Sequence, residues 1–98
     1  AEAETLYKDA RHKQAKKHFY IGRFYFKKKE YLAAIPRFQT IVRDFSGLGL
    51  DNKSFYHLVA ALKRTDQETL ANRYFEIFKK YYPERNKAIQ KIQSVLDR

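Results

Sequence analysis

Apolar residues recur along this chain at steps of three and four. Tyr31, Ala34, Ile35, Phe38, Ile41, Val42 and Phe45 form one stripe, and Phe55, Leu58, Val59 and Leu62 form another. Leu70, Ala71, Tyr74, Phe75 and Phe78 make a third, and Ala88, Ile89, Ile92, Val95 and Leu96 a fourth. The N-terminal stretch is looser, with Leu6, Ala10 and Ala15 leading into Phe19, Ile21, Gly22, Tyr25 and Phe26. A period near 3.6 is that of amphipathic helices. No segment sustains the alternation of a half-buried strand, so the pattern predicts an all-α fold.

Polar and breaker positions cut the stripes into five helices, over residues 4–28, 30–45, 50–63, 66–81 and 85–97. Lys27-Lys28-Lys29-Glu30 separates the first two, and Ser46-Gly47-Leu48-Gly49 is the clearest loop. Thr65-Asp66 is expected to cap the fourth helix, because their side-chain oxygens can accept its orphan amides. Tyr82-Pro83-Glu84 ends that helix, since the residue before proline disfavours helical geometry. Pro36 lies within the second stripe, which continues past it, so a bend is expected there and not a terminus.

Near-equal helical hairpins invite a test for internal repetition. His18-x-x-Ile21-Gly22-x-x-Tyr25 followed by Ala34-x-x-x-Phe38 matches the tetratricopeptide (TPR) pattern, without its closing proline. Phe55-x-x-Leu58-Val59-x-x-Leu62, Ala71-x-x-x-Phe75 and Pro83 give a second copy, with Val59 at the glycine position. Ala34 and Ala71 are 37 residues apart, against about 34 for the ordinary repeat, and the surplus falls in the Gly47–Leu50 loop. One domain is expected: repeat one over 15–47, repeat two over 52–84, and a capping helix over 85–97 that covers the second hairpin.

Composition adds the question of a partner. The 98 residues hold 21 Lys and Arg against 11 Asp and Glu, a net charge of +10, and such an excess carries a cost in self-repulsion. Eight Phe and eight Tyr argue against disorder. The absence of Cys removes disulfides, thiolate zinc sites and cysteine nucleophiles. No apolar run nears the roughly 20 residues that span a bilayer. The acidic, polar start is not a signal peptide, and the missing initiator Met suggests a leading segment removed from this chain.

The words between the repeat positions narrow the field. His18-Phe19-Tyr20-Ile21-Gly22-Arg23-Phe24-Tyr25-Phe26-Lys27, then Tyr31-Leu32-Ala33-Ala34-Ile35-Pro36-Arg37-Phe38-Gln39, then Val42-Arg43-Asp44-Phe45 resemble the BamD family, also called YfiO or ComL. These are outer-membrane assembly lipoproteins. Leu6 to Lys17 resembles the long helix leading into the family's fourth repeat, and residues 55–83 read as its fifth and last. The resemblance implies a scaffold without cofactor, tethered by a lipidated N-terminal Cys to the periplasmic face of the outer membrane. It would work there in the complex that inserts β-barrel proteins, where that complex's other lipoproteins are further partners the resemblance implies. The family's C-terminal repeats hold a POTRA domain of the barrel subunit BamA. Arg37 matches the family arginine in A-x-x-R that faces this domain and pairs with an acidic residue. The chain departs from the pattern in lacking the N-terminal repeats and the lipid-bearing Cys, and in having Pro36 where Asn is common. Without those repeats and that Cys, the chain is expected to be soluble, and neither substrate recognition nor anchoring is assigned to its residues.

On this reading the partner-binding residues are Arg37, Arg23, Lys27, Lys28, Lys29 and Arg43. Gly22, Tyr25, Ala34, Phe38, Leu58, Leu62, Ala71, Phe75 and Pro83 are structural repeat positions. A second basic run, Lys8, Arg11, Lys13, Lys16 and Lys17, lies on the first helix. Two other uses of the charge stand beside the scaffold: a nucleic-acid-binding helical module, and a TPR adaptor for acidic peptides in the concave groove. The aromatics interleaved with bases resemble stacking platforms, but Phe19, Tyr25 and Phe26 fall near core positions, while Tyr20 and Phe24 lie off the stripe. His12, His18 and His57 lack metal-ligand spacing, with His18 at a structural repeat position. Asp44, Glu68 and Glu76 form no acid–base pattern, and Gly47-x-Gly49 is a turn and not a phosphate loop. No catalytic constellation is present.

Overall fold

The computed structural model describes residues 2–98. Five helices follow in order: α1 Glu2–Lys27, α2 Tyr31–Asp44, α3 Asp51–Arg64, α4 Glu68–Tyr81 and α5 Asn86–Leu96. Among the described residues no strand is present. Each helix packs on the next along α1–α2–α3–α4, and α5 packs on both α3 and α4. The result is two TPR-like hairpins, α1/α2 and α3/α4, with α5 laid against the second.

The repeat is visible in the packing. Gly22, Ala34 and Phe38 of the first hairpin are buried, as are their counterparts 37 residues on, Val59, Ala71 and Phe75. Small residues on one helix and large ones on its neighbour let the two axes approach. Gly22 is the tightest point: a Cβ built there would meet Phe38 Cζ at 2.9 Å and Arg37 Cβ at 3.1 Å. Pro83 sits exposed in the turn between α4 and α5.

Both inter-helix turns within the hairpins share one geometry. Glu30 N–H donates to Tyr25 O at 2.9 Å and Lys29 N–H to Phe26 O at 3.0 Å. Gln67 N–H donates to Leu62 O at 2.9 Å and Asp66 N–H to Lys63 O at 3.4 Å. These are Schellman closures, and Lys29 and Asp66 hold the left-handed position usually given to glycine, at φ 62° and 58°. The fourth helix therefore does not start as the residue types suggest. Thr65 turns its hydroxyl back to Ala61 O and Leu62 O, closing α3, and Gln67 takes the N-cap position of α4 without a side-chain bond. Once Asp66 is left-handed, neither oxygen is placed to serve the amides ahead.

α2 runs unbroken through Pro36, whose missing N–H frees the carbonyl of the exposed Leu32 toward water. Thr40 Oγ1 donates to Pro36 O at 2.9 Å. Between α2 and α3, Gly47 and Gly49 both adopt positive φ, 81° and 90°. The buried Asp51 carboxylate accepts the Gly47 amide at 3.0 Å. The Tyr82 phenol also bonds Asp51, and burial followed by that carboxylate raises its pKa. A three-residue excess over the ordinary repeat is thus folded into a pinned loop.

Candidate functional site

Among the described residues only four ion pairs form: Arg43–Asp44, Lys63–Glu68, Lys79–Glu76 and Arg85–Glu84. Most of the positive charge is therefore without an acidic counterpart in the chain. It is distributed over two regions that the helices position differently.

The first region is centred on Arg37. Its Cβ lies against the Gly22 backbone, and its guanidinium donates to His18 Nδ1 at 3.1 Å. That bond requires the unprotonated Nδ1, so the His18 proton sits on Nε2. Burial, with the charges of Arg37 and Lys17, lowers the His18 pKa and keeps the ring neutral. His18 also tilts against Phe45 at 5.6 Å, over whose ring the Arg11 guanidinium lies at 4.5 Å. Arg11 donates in turn to Asp44 O at the end of α2. Arg43, the residue before that end, is held by Asp44 through two bonds of 3.0 and 2.9 Å.

The second region is a groove of about 510 Å³ whose lining comes from α1, α3 and α5. The backbones of α1 and α5 stand apart, and α3 forms the floor between them. Arg23 enters from α1, Lys53 from α3, and Lys87 and Lys91 from α5, with Phe19, Tyr56, His57 and Ile92 below. No Asp or Glu lines it. Lys91 Nζ lies 4.9 Å over the Tyr56 ring. His57 is enclosed by Phe26 at 4.8 Å, Phe38 at 5.2 Å, Tyr56 at 5.4 Å and Phe19 at 5.7 Å. Its Nδ1–H donates to Lys53 O at 2.7 Å, and burial lowers its pKa more than that bond raises it.

The structure does not bring the six basic candidates together. Arg37 sits at the α1–α2 contact, Arg43 is paired at the end of α2, and Arg23 faces the groove. Lys27, Lys28 and Lys29 are exposed at the α1–α2 turn, with Lys28 Nζ 4.9 Å over Phe24. Phe19, Tyr25 and Phe26 turn into the core, leaving Tyr20 and Phe24 exposed on α1. Sequence reasoning missed Lys53, Tyr56, Lys87 and Lys91. Their signal was the polar face of α3, Lys53 and Tyr56 at a spacing of three, but only the tertiary fold places α5 beside it.

Among the described residues no helix is long and apolar enough to cross a membrane. A family model for YfiO, described as an outer membrane lipoprotein, matches residues 1–76, which span α1 through α3 and most of α4. No curated protein and no solved structure matches the chain.

Proposed function

The chain belongs to the YfiO family of outer membrane lipoproteins, and from that premise we propose that it is a non-enzymatic scaffold of outer-membrane β-barrel assembly. In this reading both hairpins and α5 act as one unit at the periplasmic face of the outer membrane, and they bind an acidic surface of a BamA POTRA domain. The observation that carries it is the state of Arg37. The side chain is fixed at its base by Gly22 and at its tip by a neutral imidazole. Among the described residues no carboxylate pairs with it. A pre-positioned arginine that keeps its charge loses little freedom on binding and suits an acidic partner at the centre of an interface. Lys27, Lys28, Lys29, Arg23 and Arg43 would contribute steering more than affinity. The exposed Tyr20 and Phe24 on α1 offer apolar anchors beside them.

The test is capture of the cognate BamA POTRA domains by the wild-type chain and by Arg37→Glu and Arg37→Gln. Gln keeps a donor for His18 while removing the charge. Capture falling about tenfold or more in Arg37→Glu, and less in Arg37→Gln, is expected for a paired interfacial charge. Undiminished capture by both variants removes Arg37 from the interface.

A further inference from the structure

His18 has a chemical task that its place in the repeat does not require. A guanidinium carries N–H groups alone, so it donates and never accepts. The Arg37 guanidinium lies 3.1 Å from His18 Nδ1, so that nitrogen must offer its lone pair. With the ring proton on Nε2, the next proton taken up goes to Nδ1 itself. It removes the acceptor and sets an imidazolium against a guanidinium, two donors of like charge. The bond therefore belongs to one protonation state of the ring and gives way to repulsion in the other.

The surroundings decide which group then moves. His18 tilts against Phe45 at 5.6 Å, and Phe45 is itself buried with Arg11 over its ring at 4.5 Å. The imidazole has little room to turn away. Arg37 is fixed at its base, where its Cβ lies against Gly22. Beyond Cβ, among the described residues, no ion pair and no side-chain hydrogen bond other than that to His18 holds it. The guanidinium is the group that yields. The charged groups facing His18 are Arg37 and Asp44 from α2 and Lys17 from α1, while Arg11 of α1 faces Asp44. Asp44 favours the protonated ring, but Arg43 holds both of its carboxylate oxygens. Burial and the two cations outweigh it and lower the His18 pKa from 6.5, which places the change in mild acid.

We propose that His18 is a positioning residue that makes Arg37 a pH-gated contact: the neutral ring holds the guanidinium ready for an acidic partner, and the protonated ring releases it. Such gating rests on Arg37 lying in the partner interface, as proposed above. A released side chain must be ordered again on binding, which weakens capture about two- to tenfold. The added charge on the ring acts the other way, by drawing in an acidic surface. Release predicts weaker capture in acid and steering alone predicts stronger, so the sign of the response separates them.

The test is capture of the cognate BamA POTRA domains at fixed ionic strength, from about pH 7.5 to about pH 5.5, across the ordinary range of histidine. Wild type is compared with His18→Gln, whose amide oxygen accepts from Arg37 at every pH. His57 and the partner's own titrating groups are common to both chains, so the ratio of their affinities isolates His18. That ratio is expected to fall about two- to tenfold in acid. A ratio that stays flat or rises overturns the proposal. The wild type alone gives a second reading: the Arg37 guanidinium resonances should shift with an inflection at the pKa of His18, and their failure to do so overturns the proposal as well. Capture that depends on Arg37 but shows a flat ratio defeats the gating alone. Capture indifferent to Arg37→Glu defeats the interface reading and the gating with it.

Discussion

Gly22→Ala is the smallest change that probes the α1–α2 contact on which the Arg37 region depends. The new methyl would stand 2.9 Å from Phe38 Cζ, 3.1 Å from Phe38 Cε1 and 3.1 Å from Arg37 Cβ. The ring cannot yield freely. Phe38 is fully buried, stacked on His57 at 5.2 Å and edge-on to Phe19 at 5.8 Å. Overpacking of this kind costs about 1–3 kcal/mol. Ala is a better helix former than Gly by about 0.5–1 kcal/mol, which offsets part of that. At the middle of these ranges a net loss of about 1 kcal/mol remains, equivalent to a fall of about 4–8 °C in melting temperature for a chain this size. Thermal unfolding followed by circular dichroism at 222 nm reads it directly. Because Arg37 Cβ is one of the three contacts, POTRA capture should weaken alongside. A Gly22→Ala chain that melts at or above the wild-type temperature would show that the helices part without cost, and the fixed base assigned to Arg37 would be lost with it.

Three further outcomes follow from the same geometry. His18 and His57 both have pKa values lowered from 6.5 in the folded chain, so the unfolded state takes up their protons first. Stability should be constant above that value and decline as pH falls below it; melting curves at fixed ionic strength that stay flat down to about pH 5, before carboxylates titrate, would contradict this. Lys29→Gly removes the strain of a left-handed lysine, about 1–2 kcal/mol, against the greater freedom of Gly unfolded, about 0.5–1 kcal/mol, so a rise of a few degrees in melting temperature is expected. Asp66→Gly should gain less, because Asp tolerates that region better, and a drop in either variant would count against the Schellman assignment. Added salt should raise the melting temperature by screening a net charge of +10 while weakening capture of any acidic partner; a melting temperature that salt does not raise, or capture that salt does not weaken, would contradict this.

Helical spacing carried most of the fold. The stripes through Phe38, Leu58, Phe75 and Ile92 placed all five helices to within two residues of their observed ends, and the 37-residue offset set the hairpins in register. Chain direction after Arg64 was not legible, because Thr65 and Asp66 are equally good at closing a helix and at opening one. The left-handed turn chose between these roles, and nothing local announces it when the residue is Asp and not Gly. His57 reads as a polar residue on the face of α3, yet four rings from α1, α2 and α3 surround it. The groove was least legible of all, since its cations come from residues 23, 53, 87 and 91, which are neighbours only after α5 folds back on α3.

The excess charge separates by what each cation meets. Arg11 donates to Asp44 O and Lys63 to Leu96 O, so two cations sit at helix C-termini where the macrodipole is negative. Arg85 donates to Asn52 and lies 4.1 Å from the Tyr82 ring, tying the α4–α5 turn to α3. These contacts stabilise the array. Arg43 is offset, since Asp44 takes both of its bonds. Arg37 is held differently. Its partner is a neutral ring, which fixes a guanidinium in place without cancelling its charge. Fixing and neutralising are usually coupled in a protein, because carboxylates do both at once. At Arg37 they are uncoupled, and of the two α2 arginines it is therefore the one whose charge remains available to an acidic partner.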